Sequence, residues 1–211
     1  MEIISHRGYW IKPEEKNSFI AFERSFNLGF GTETDIRDFQ GDLVISHDIP
    51  VGGEMPIDDF LEMADGKNFS LALNIKSDGL TTKLADKLAK FDIANAFVFD
   101  MSVPDQFSYY RDGRISFFSR ASEYEPVISL YEECQGVWLD AFISTWYDVD
   151  YILNILKSGK KVCVVSSELH KRNDYLTLWS MLAQPELLGA ENLILCTDLP
   201  EEAQRYFSEV K

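Results

Sequence analysis

The sequence predicts a (β/α)8 TIM barrel that forms a single domain over residues 1–211. Three observations predict this fold. Eight short segments rich in β-branched and aromatic residues alternate with amphipathic segments, and no linker or shift of composition interrupts them. Alternation of strands and helices is typical of a parallel sheet with helices outside it. Eight such units within one domain favour a closed barrel over an open sheet.

The predicted strands are short runs rich in β-branched and aromatic residues, which is typical of buried strands. They are Ile3–His6, Thr32–Arg37, Ser70–Lys76, Ala96–Met101, Ile115–Arg120, Gly136–Phe142, Lys161–Ser166 and Asn192–Asp198. Leu43–His47 is an additional short extended segment after the second strand.

The predicted helices carry apolar residues at helical spacing, as in the stripe formed by Phe19, Phe22 and Phe26. They span Ser18–Leu28, Leu80–Phe91, Pro104–Asp112, Glu123–Cys134, Tyr147–Lys157, Asp174–Ala183 and Glu201–Val210. Asn17 and Asp174 stand where N-caps are expected.

The composition excludes several classes of protein. With 45% hydrophobic residues the chain is not disordered, and with a net charge of -15 it would repel nucleic acid and anionic membranes. Its three cysteines include no CxxC pair, which predicts buried free thiols in a reducing compartment. The N-terminus does not resemble a signal peptide, and no apolar run is long enough for membrane insertion. We therefore expect a cytoplasmic protein.

Polar residues fall at the predicted C-terminal ends of the first strands, where TIM barrels carry their active sites. His6 and Arg7 end the first strand. Glu33, Asp35 and Arg37 share one face of the second strand, because side chains alternate along a strand. Two carboxylates on one buried face suit a hard cation such as Mg²⁺ or Ca²⁺, although an interior ion-pair network with Arg37 would also explain them.

The next segments add to this set. The third strand ends with Asn74 and Lys76 on one face, and the extra extended segment ends in His47. Taken singly, each has an ordinary interpretation: a hydrogen-bonded structural histidine, or a lysine at the surface. The coincidence of all of them at the ends of neighbouring strands favours a functional site.

Other polar residues have simpler interpretations. His170 is expected to be a solvated loop residue, and Asp198 a helix cap before Pro200. Asp140 also ends a predicted strand, and the sequence assigns it no role.

These residues resemble the motifs of the glycerophosphodiester phosphodiesterase family. The matching segments are His6-Arg7-Gly8, the helix start Asn17-Ser18-Phe19-Ile20-Ala21-Phe22, Glu33-Thr34-Asp35, His47-Asp48, Asn74-Ile75-Lys76 and Cys196-Thr197-Asp198-Leu199-Pro200. They occur in the order of the family's motifs and extend over most of the chain.

The resemblance implies a TIM barrel, a divalent metal (Mg²⁺ or Ca²⁺) and a small phosphodiester as substrate. It implies that the metal is held by Glu33, Asp35 and Asn74. It further implies that His6 and His47 are the general acid and base, and that Arg7 and Lys76 hold the phosphate. Trp10 is the best aromatic candidate for a substrate contact, whereas Trp138 and Trp146 are expected to pack.

The chain departs from the family pattern at two site positions. The family has glutamate where this chain has Lys16, and a glutamate metal ligand where it has Asn74. An asparagine oxygen can still bind Mg²⁺ or Ca²⁺ but brings no charge, so we expect weaker metal binding. The chain has only 27 positions from His47 to Asn74, where the family carries a longer insertion that shapes the substrate pocket.

Three functions remain open from the sequence. The first is hydrolysis of a glycerophosphodiester or a related small phosphodiester. The second is a degenerate family member that binds a phosphorylated ligand without turnover, which Lys16 and Asn74 favour. The third is a lyase that stops at a cyclic phosphate. The intact pair of histidines favours an enzyme over a binding protein.

Overall fold

A computed structural model describes residues 1–210. The strands are β1 (Glu2–His6), β2 (Gly31–Phe39), β3 (Asp42–Ile45), β4 (Met55–Pro56), β5 (Leu71–Ile75), β6 (Ala96–Phe99), β7 (Ser116–Ala121), β8 (Gly136–Leu139), β9 (Lys161–Val165) and β10 (Leu193–Thr197). The helices are α1 (Phe19–Asn27), α2 (Ile57–Ala64), α3 (Thr81–Lys90), α4 (Val103–Asp112), α5 (Val149–Lys157), α6 (Tyr175–Leu182), α7 (Pro185–Leu188) and α8 (Pro200–Glu209).

The strands confirm the predicted (β/α)8 barrel. The hydrogen-bonded order is β1-β10-β9-β8-β7-β6-β5-β2, and β2 also pairs with β1, which closes the ring. All eight predicted strands are present, with ends within three residues of the predicted ones. The extra segment is β3, which pairs antiparallel with both β2 and β4.

Helix prediction was wrong in three places: one predicted helix is absent, and α2 and the four-residue α7 were not predicted. The segment predicted to be helical from Glu123 to Cys134 forms turns instead. Pro126 lacks an amide hydrogen and disfavours helical geometry in the residue before it, and Ser122 and Glu125 bridge to each other through their backbones. Conversely, α2 was missed, although it has the i, i+3, i+4, i+7 spacing of a helix and buries the residues Ile57, Phe60, Leu61 and Ala64.

The chain divides into two compact units. One contains His6–Phe117, and the other contains Met1–Ser5 and the chain from Phe118 onward. In the first unit, Phe22 packs edge-on against Phe60 with ring centroids 4.7 Å apart. In the second, the core surrounds Trp179, whose indole donates to the Ser166 hydroxyl at 2.9 Å.

The remaining composition-based expectations concern cysteines and membrane spans. Cys134, Cys163 and Cys196 are buried free thiols. Within residues 1–210, no helix combines the length and the apolar character that crossing a membrane requires.

Candidate active site

The turn after β1 gives the site its backbone frame. Arg7 adopts φ 57° and Gly8 adopts φ 77°. The Arg7 amide donates to the Glu33 carbonyl at 3.0 Å and lies 3.1 Å from the Glu33 carboxylate, and the Gly8 amide donates to Thr32 Oγ1 at 2.9 Å. A left-handed backbone is costly for a residue with a Cβ, so the strain at Arg7 marks a position whose geometry the surrounding structure enforces.

We expect Gly8→Ala to destabilise the protein by about 3 kcal/mol, because it combines left-handed strain with overpacking. A Cβ at Gly8 would lie 2.7 Å from the Ala21 Cβ. Gly29→Ala is the matched control, since Gly29 has φ 82° but a Cβ there would meet no atom within 4 Å. Gly29→Ala should lower the free energy of unfolding by about 1 kcal/mol. If urea unfolding gives the same loss of unfolding free energy for both variants, the contact between position 8 and Ala21 is not tight enough to destabilise the protein.

Two buried carboxylates lie on the inward face of β2. Glu33 is 2% exposed and Asp35 is fully buried. Burial, and then the negative charge of Asp35, raise the pKa of Glu33 well above its ordinary value. The two carboxylates therefore oppose each other electrostatically, and a cation between them would relieve that opposition.

Two cationic side chains form ion pairs with Asp35. Arg7 Nε lies 2.9 Å from Asp35 Oδ2, and Lys76 Nζ lies 3.3 Å from Asp35 Oδ1. Each cationic side chain remains about one-fifth exposed, at 20% for Arg7 and 19% for Lys76. Asp35 therefore holds a guanidinium and an ammonium at one place, where both can still reach a ligand.

Asn17 was expected to cap a helix, but the structure gives it a different role. Ser18 is the residue at the N-cap of α1. The Asn17 side chain donates to Asp35 Oδ2 at 2.8 Å and accepts from Thr34 Oγ1 at 2.9 Å. Its φ of 58° is left-handed, and its amide donates to the Arg7 carbonyl at 2.9 Å. Asn17 thus ties the turn after β1 to the carboxylate of Asp35.

The third strand brings Asn74 to the same site. Asn74 pairs in register with Asp35 and is 6% exposed. Its Nδ2 donates to Asp100 Oδ2 at 3.0 Å, and its Oδ1 is buried without a hydrogen-bond partner. Sequence reasoning missed Asp100, although a polar residue directly after the fourth barrel strand was a signal that could have found it.

The donors assembled here suit a hard divalent cation. Glu33 and Asp35 offer carboxylate oxygens, and the buried Oδ1 of Asn74 offers a neutral one. Oxygen ligands of this kind are the ones that Mg²⁺ and Ca²⁺ prefer. No cluster of three or more His, Cys, Asp or Glu side chains placed to bind a metal occurs within residues 1–210. The set is therefore two carboxylates and one amide, and it fits such a cation with one negative charge fewer than three carboxylates would give.

The two histidines occupy different surroundings. His6 is 14% exposed, and its Nε2 lies 3.9 Å from Glu33 Oε2. His47 follows β3, is 46% exposed, and directs Nδ1 to the Asp48 carboxylate at 2.9 Å. This contact lowers the pKa of Asp48. It also leaves Nε2 of His47 available, because the partner of one ring nitrogen sets the tautomer of the other.

Several of these residues line an open pocket of about 770 Å³. Arg7, Asn17 and His47 line it together with Lys16 and Met55. The Lys16 ammonium lies over the ring of Trp10, 4.4 Å from its centroid. Trp10 therefore contacts the pocket's lysine, and a direct contact between Trp10 and a substrate stays a prediction.

Arg37, which shares the face of Glu33 and Asp35 in sequence, does not join them. It lies in the part of β2 that pairs with β3, and its Nε donates to the His47 carbonyl at 3.2 Å. Its role is to hold the backbone of the loop that carries His47.

The second compact unit has a polar cluster of its own, and it corrects the expectation for His170. This residue is not solvated: its side chain is 22% exposed and its Nε2 lies 2.5 Å from Asp140 Oδ1. Its ring contacts the Phe142 ring in a tilted arrangement, with centroids 4.6 Å apart. Trp138 is buried, and the Trp146 indole donates to the Asp140 carbonyl at 2.8 Å, so both pack as expected.

Comparison with solved structures agrees with this architecture, whereas no protein-family model and no curated protein matches the sequence. Among solved structures, an Agrobacterium tumefaciens protein provisionally named a glycerophosphoryl diester phosphodiesterase aligns with a TM-score of 0.72 and 10% identity, over 99% of this chain and 98% of that one.

Two further solved structures are similar. A glycerophosphodiester phosphodiesterase from Agrobacterium tumefaciens aligns with a TM-score of 0.67 and 16% identity, over 95% of this chain and 97% of that one. An Oleispira antarctica phosphodiesterase, in complex with the product sn-glycerol-3-phosphate, aligns with a TM-score of 0.68 and 17% identity, over 99% and 97%. At such identities the likeness concerns the fold: this chain has, over nearly its whole length, the fold of glycerophosphodiester phosphodiesterases.

Proposed function

We propose that this chain is a metal-dependent phosphodiesterase that hydrolyses a glycerophosphodiester or a related small phosphodiester. One observation carries the proposal. Arg7 and Lys76 meet on the buried carboxylate of Asp35, beside Glu33 and Asn74. Cations that can hold a phosphate thus lie next to oxygen donors that can hold a metal. The fold shared with glycerophosphodiester phosphodiesterases supports the same reaction.

Arg7 and Lys76 bind the phosphate in this mechanism. A guanidinium can form two parallel hydrogen bonds with phosphate oxygens, and an ammonium adds a point charge. Both side chains are partly exposed, so they can turn from Asp35 to a bound phosphate. A divalent metal held by Glu33, Asp35 and Asn74 would supply further positive charge where negative charge develops on phosphorus.

His6 and His47 divide the proton transfers. Cleavage requires a nucleophile that loses a proton and a leaving alkoxide that gains one. Asp48 holds Nδ1 of His47, which lines the open pocket, and Nε2 is then the nitrogen that accepts or donates a proton. His6, next to Glu33, is the second proton carrier. A hydroxyl of the substrate adjacent to the phosphate is the expected nucleophile, and water then opens the cyclic phosphate.

The test is hydrolysis of a panel of glycerophosphodiesters with Mg²⁺, Mn²⁺ or Ca²⁺, each run with and without EDTA. We expect turnover that EDTA abolishes and that the metal restores. ³¹P NMR of the product separates a hydrolase, which yields the linear monoester, from a lyase, which accumulates the cyclic ester. Turnover that is insensitive to EDTA would contradict the role of the metal.

A second candidate is a protein that binds a phosphorylated ligand without turnover. It is favoured by Asn74, which brings no charge to the donor set, and by Lys16, which stacks on Trp10 in the pocket. This candidate predicts that calorimetry detects binding of sn-glycerol 3-phosphate while no panel substrate is cleaved with any of the three metals.

A further inference from the structure

With Asn74, the donor set has one negative charge fewer than three carboxylates would give. The hydrogen bonds of the Asn74 side chain determine whether its oxygen can act as a ligand. An amide side chain has one oxygen that accepts and one NH₂ group that donates, and it can bind a cation only through the oxygen. If the amide were turned the other way, Asn74 would present its NH₂ group to Glu33 and Asp35 and could not serve as a ligand.

Asp100 determines which way the amide faces. β5 lies between β2 and β6 in the sheet, and Asn74 pairs with Asp35 on one side and with Phe99 on the other. Asp100 follows Phe99 and accepts from Asn74 Nδ2 at 3.0 Å. A carboxylate accepts from N–H but repels a carbonyl oxygen, so Nδ2 faces Asp100 and Oδ1 is directed away from it.

The backbone at Asp100 also has an unusual geometry. Its φ is 68°, a left-handed value that aspartate and asparagine tolerate better than other residues with a Cβ. This turn places a carboxylate within hydrogen-bond distance of the amide of Asn74 at the end of the neighbouring strand.

We propose that Asp100 is a positioning residue for the metal: it fixes the amide of Asn74 so that Oδ1 joins Glu33 and Asp35 as the third oxygen donor. The inference rests on the proposed metal dependence and extends it. The third barrel strand has no carboxylate at this position, and two residues replace it. The amide of Asn74 offers its oxygen to the metal, and the carboxylate of Asp100 orients that amide. Partners of metal ligands commonly act in this way.

Two variants at position 100 test the orienting role. Asp100→Asn keeps the size of the side chain and tolerates a left-handed φ, but its amide can either accept from Asn74 Nδ2 or donate to Asn74 Oδ1, so it no longer enforces one orientation. Asp100→Gly removes the acceptor, and glycine adopts this φ without strain. Calorimetric titration with Mg²⁺, Mn²⁺ and Ca²⁺ measures the effect directly, and thermal unfolding confirms that both variants fold.

We expect Asp100→Gly to weaken metal binding roughly 10- to 100-fold, as loss of such a partner typically does. Asp100→Asn should weaken binding less than Asp100→Gly, because it can still accept from Asn74 Nδ2 but no longer excludes the reversed amide. Asn74→Glu should tighten binding, and Asp100→Gly should have no effect in that background, since a carboxylate has no wrong orientation.

The outcomes that overturn the inference are distinct from those that overturn the proposed function. If the wild type binds metal and Asp100→Gly binds it equally well, Asp100 orients nothing. If Asp100→Gly weakens metal binding as much in the Asn74→Glu background as in the wild type, Asp100 acts through its charge and not by orienting the amide. If the wild type binds none of the three metals, the proposed metal dependence itself fails, and the inference fails with it.

Discussion

Glu33→Gln should reduce turnover of the preferred phosphodiester by roughly 1,000-fold, or about 4 kcal/mol in activation free energy, because it removes one of the two charged ligands proposed for the metal. The same substitution should raise the Tm. Glu33 is 2% exposed, and burial together with the charge of Asp35 raises its pKa. Ionised Glu33 therefore opposes folding, and a neutral amide of the same shape removes that cost while still accepting from the Arg7 amide.

The pH dependence of stability follows from the same shift. Because the folded state holds the Glu33 proton more tightly than the unfolded state, the free energy of unfolding falls as pH rises from the ordinary glutamate pKa toward the raised one. Glu33→Gln should flatten this part of the curve. Glu23→Gln makes the same chemical change at an exposed position of α1 and should alter neither the turnover nor the pH dependence of stability. Full activity in Glu33→Gln would contradict the metal site.

His47→Ala should lower kcat by roughly 100- to 10,000-fold, the range expected when a general acid or base is removed. The fold should be unaffected, since the side chain is 46% exposed and its side-chain partner Asp48 is exposed as well. Because His47 lines an open pocket, added imidazole should restore part of the activity. Steady-state kinetics with and without imidazole measure both effects.

The matched control is His170→Ala, which removes an imidazole from the second compact unit. It should leave kcat within a few-fold of the wild type, although it breaks the bond to Asp140 and can lower the Tm. Equal losses for the two histidine variants, or no loss in His47→Ala, would show that His47 does not transfer a proton in the reaction.

The sequence predicted the barrel because its signals are local. Most barrel strands are buried runs rich in apolar residues, the turn His6-Arg7-Gly8 follows β1, and Glu33 and Asp35 lie within β2, which pairs with β5. Glu33 and Asp35 could be named without coordinates, because strand alternation places both side chains on one face of β2.

Other parts of the site depend on contacts between distant residues. Asn17 has the sequence position of a helix cap, and only the fold shows that its side chain reaches Asp35. Asp100 stands near a strand end in the sequence, but only the fold shows its bond to Asn74, 26 positions earlier in the chain. His170 looked solvated because its neighbours in sequence are charged, whereas its partner Asp140 comes from another strand end.

The most direct test of the account is a crystal structure of the chain with Mn²⁺ and sn-glycerol 3-phosphate, collected at an energy where manganese scatters anomalously. The account predicts one strong anomalous peak bound to Glu33 and Asp35 at about 2.0–2.6 Å, the range of carboxylate–cation distances. It also predicts the phosphate within hydrogen-bond distance of Arg7 and Lys76. Manganese bound elsewhere, or a phosphate that touches neither cation while both remain on Asp35, would contradict it.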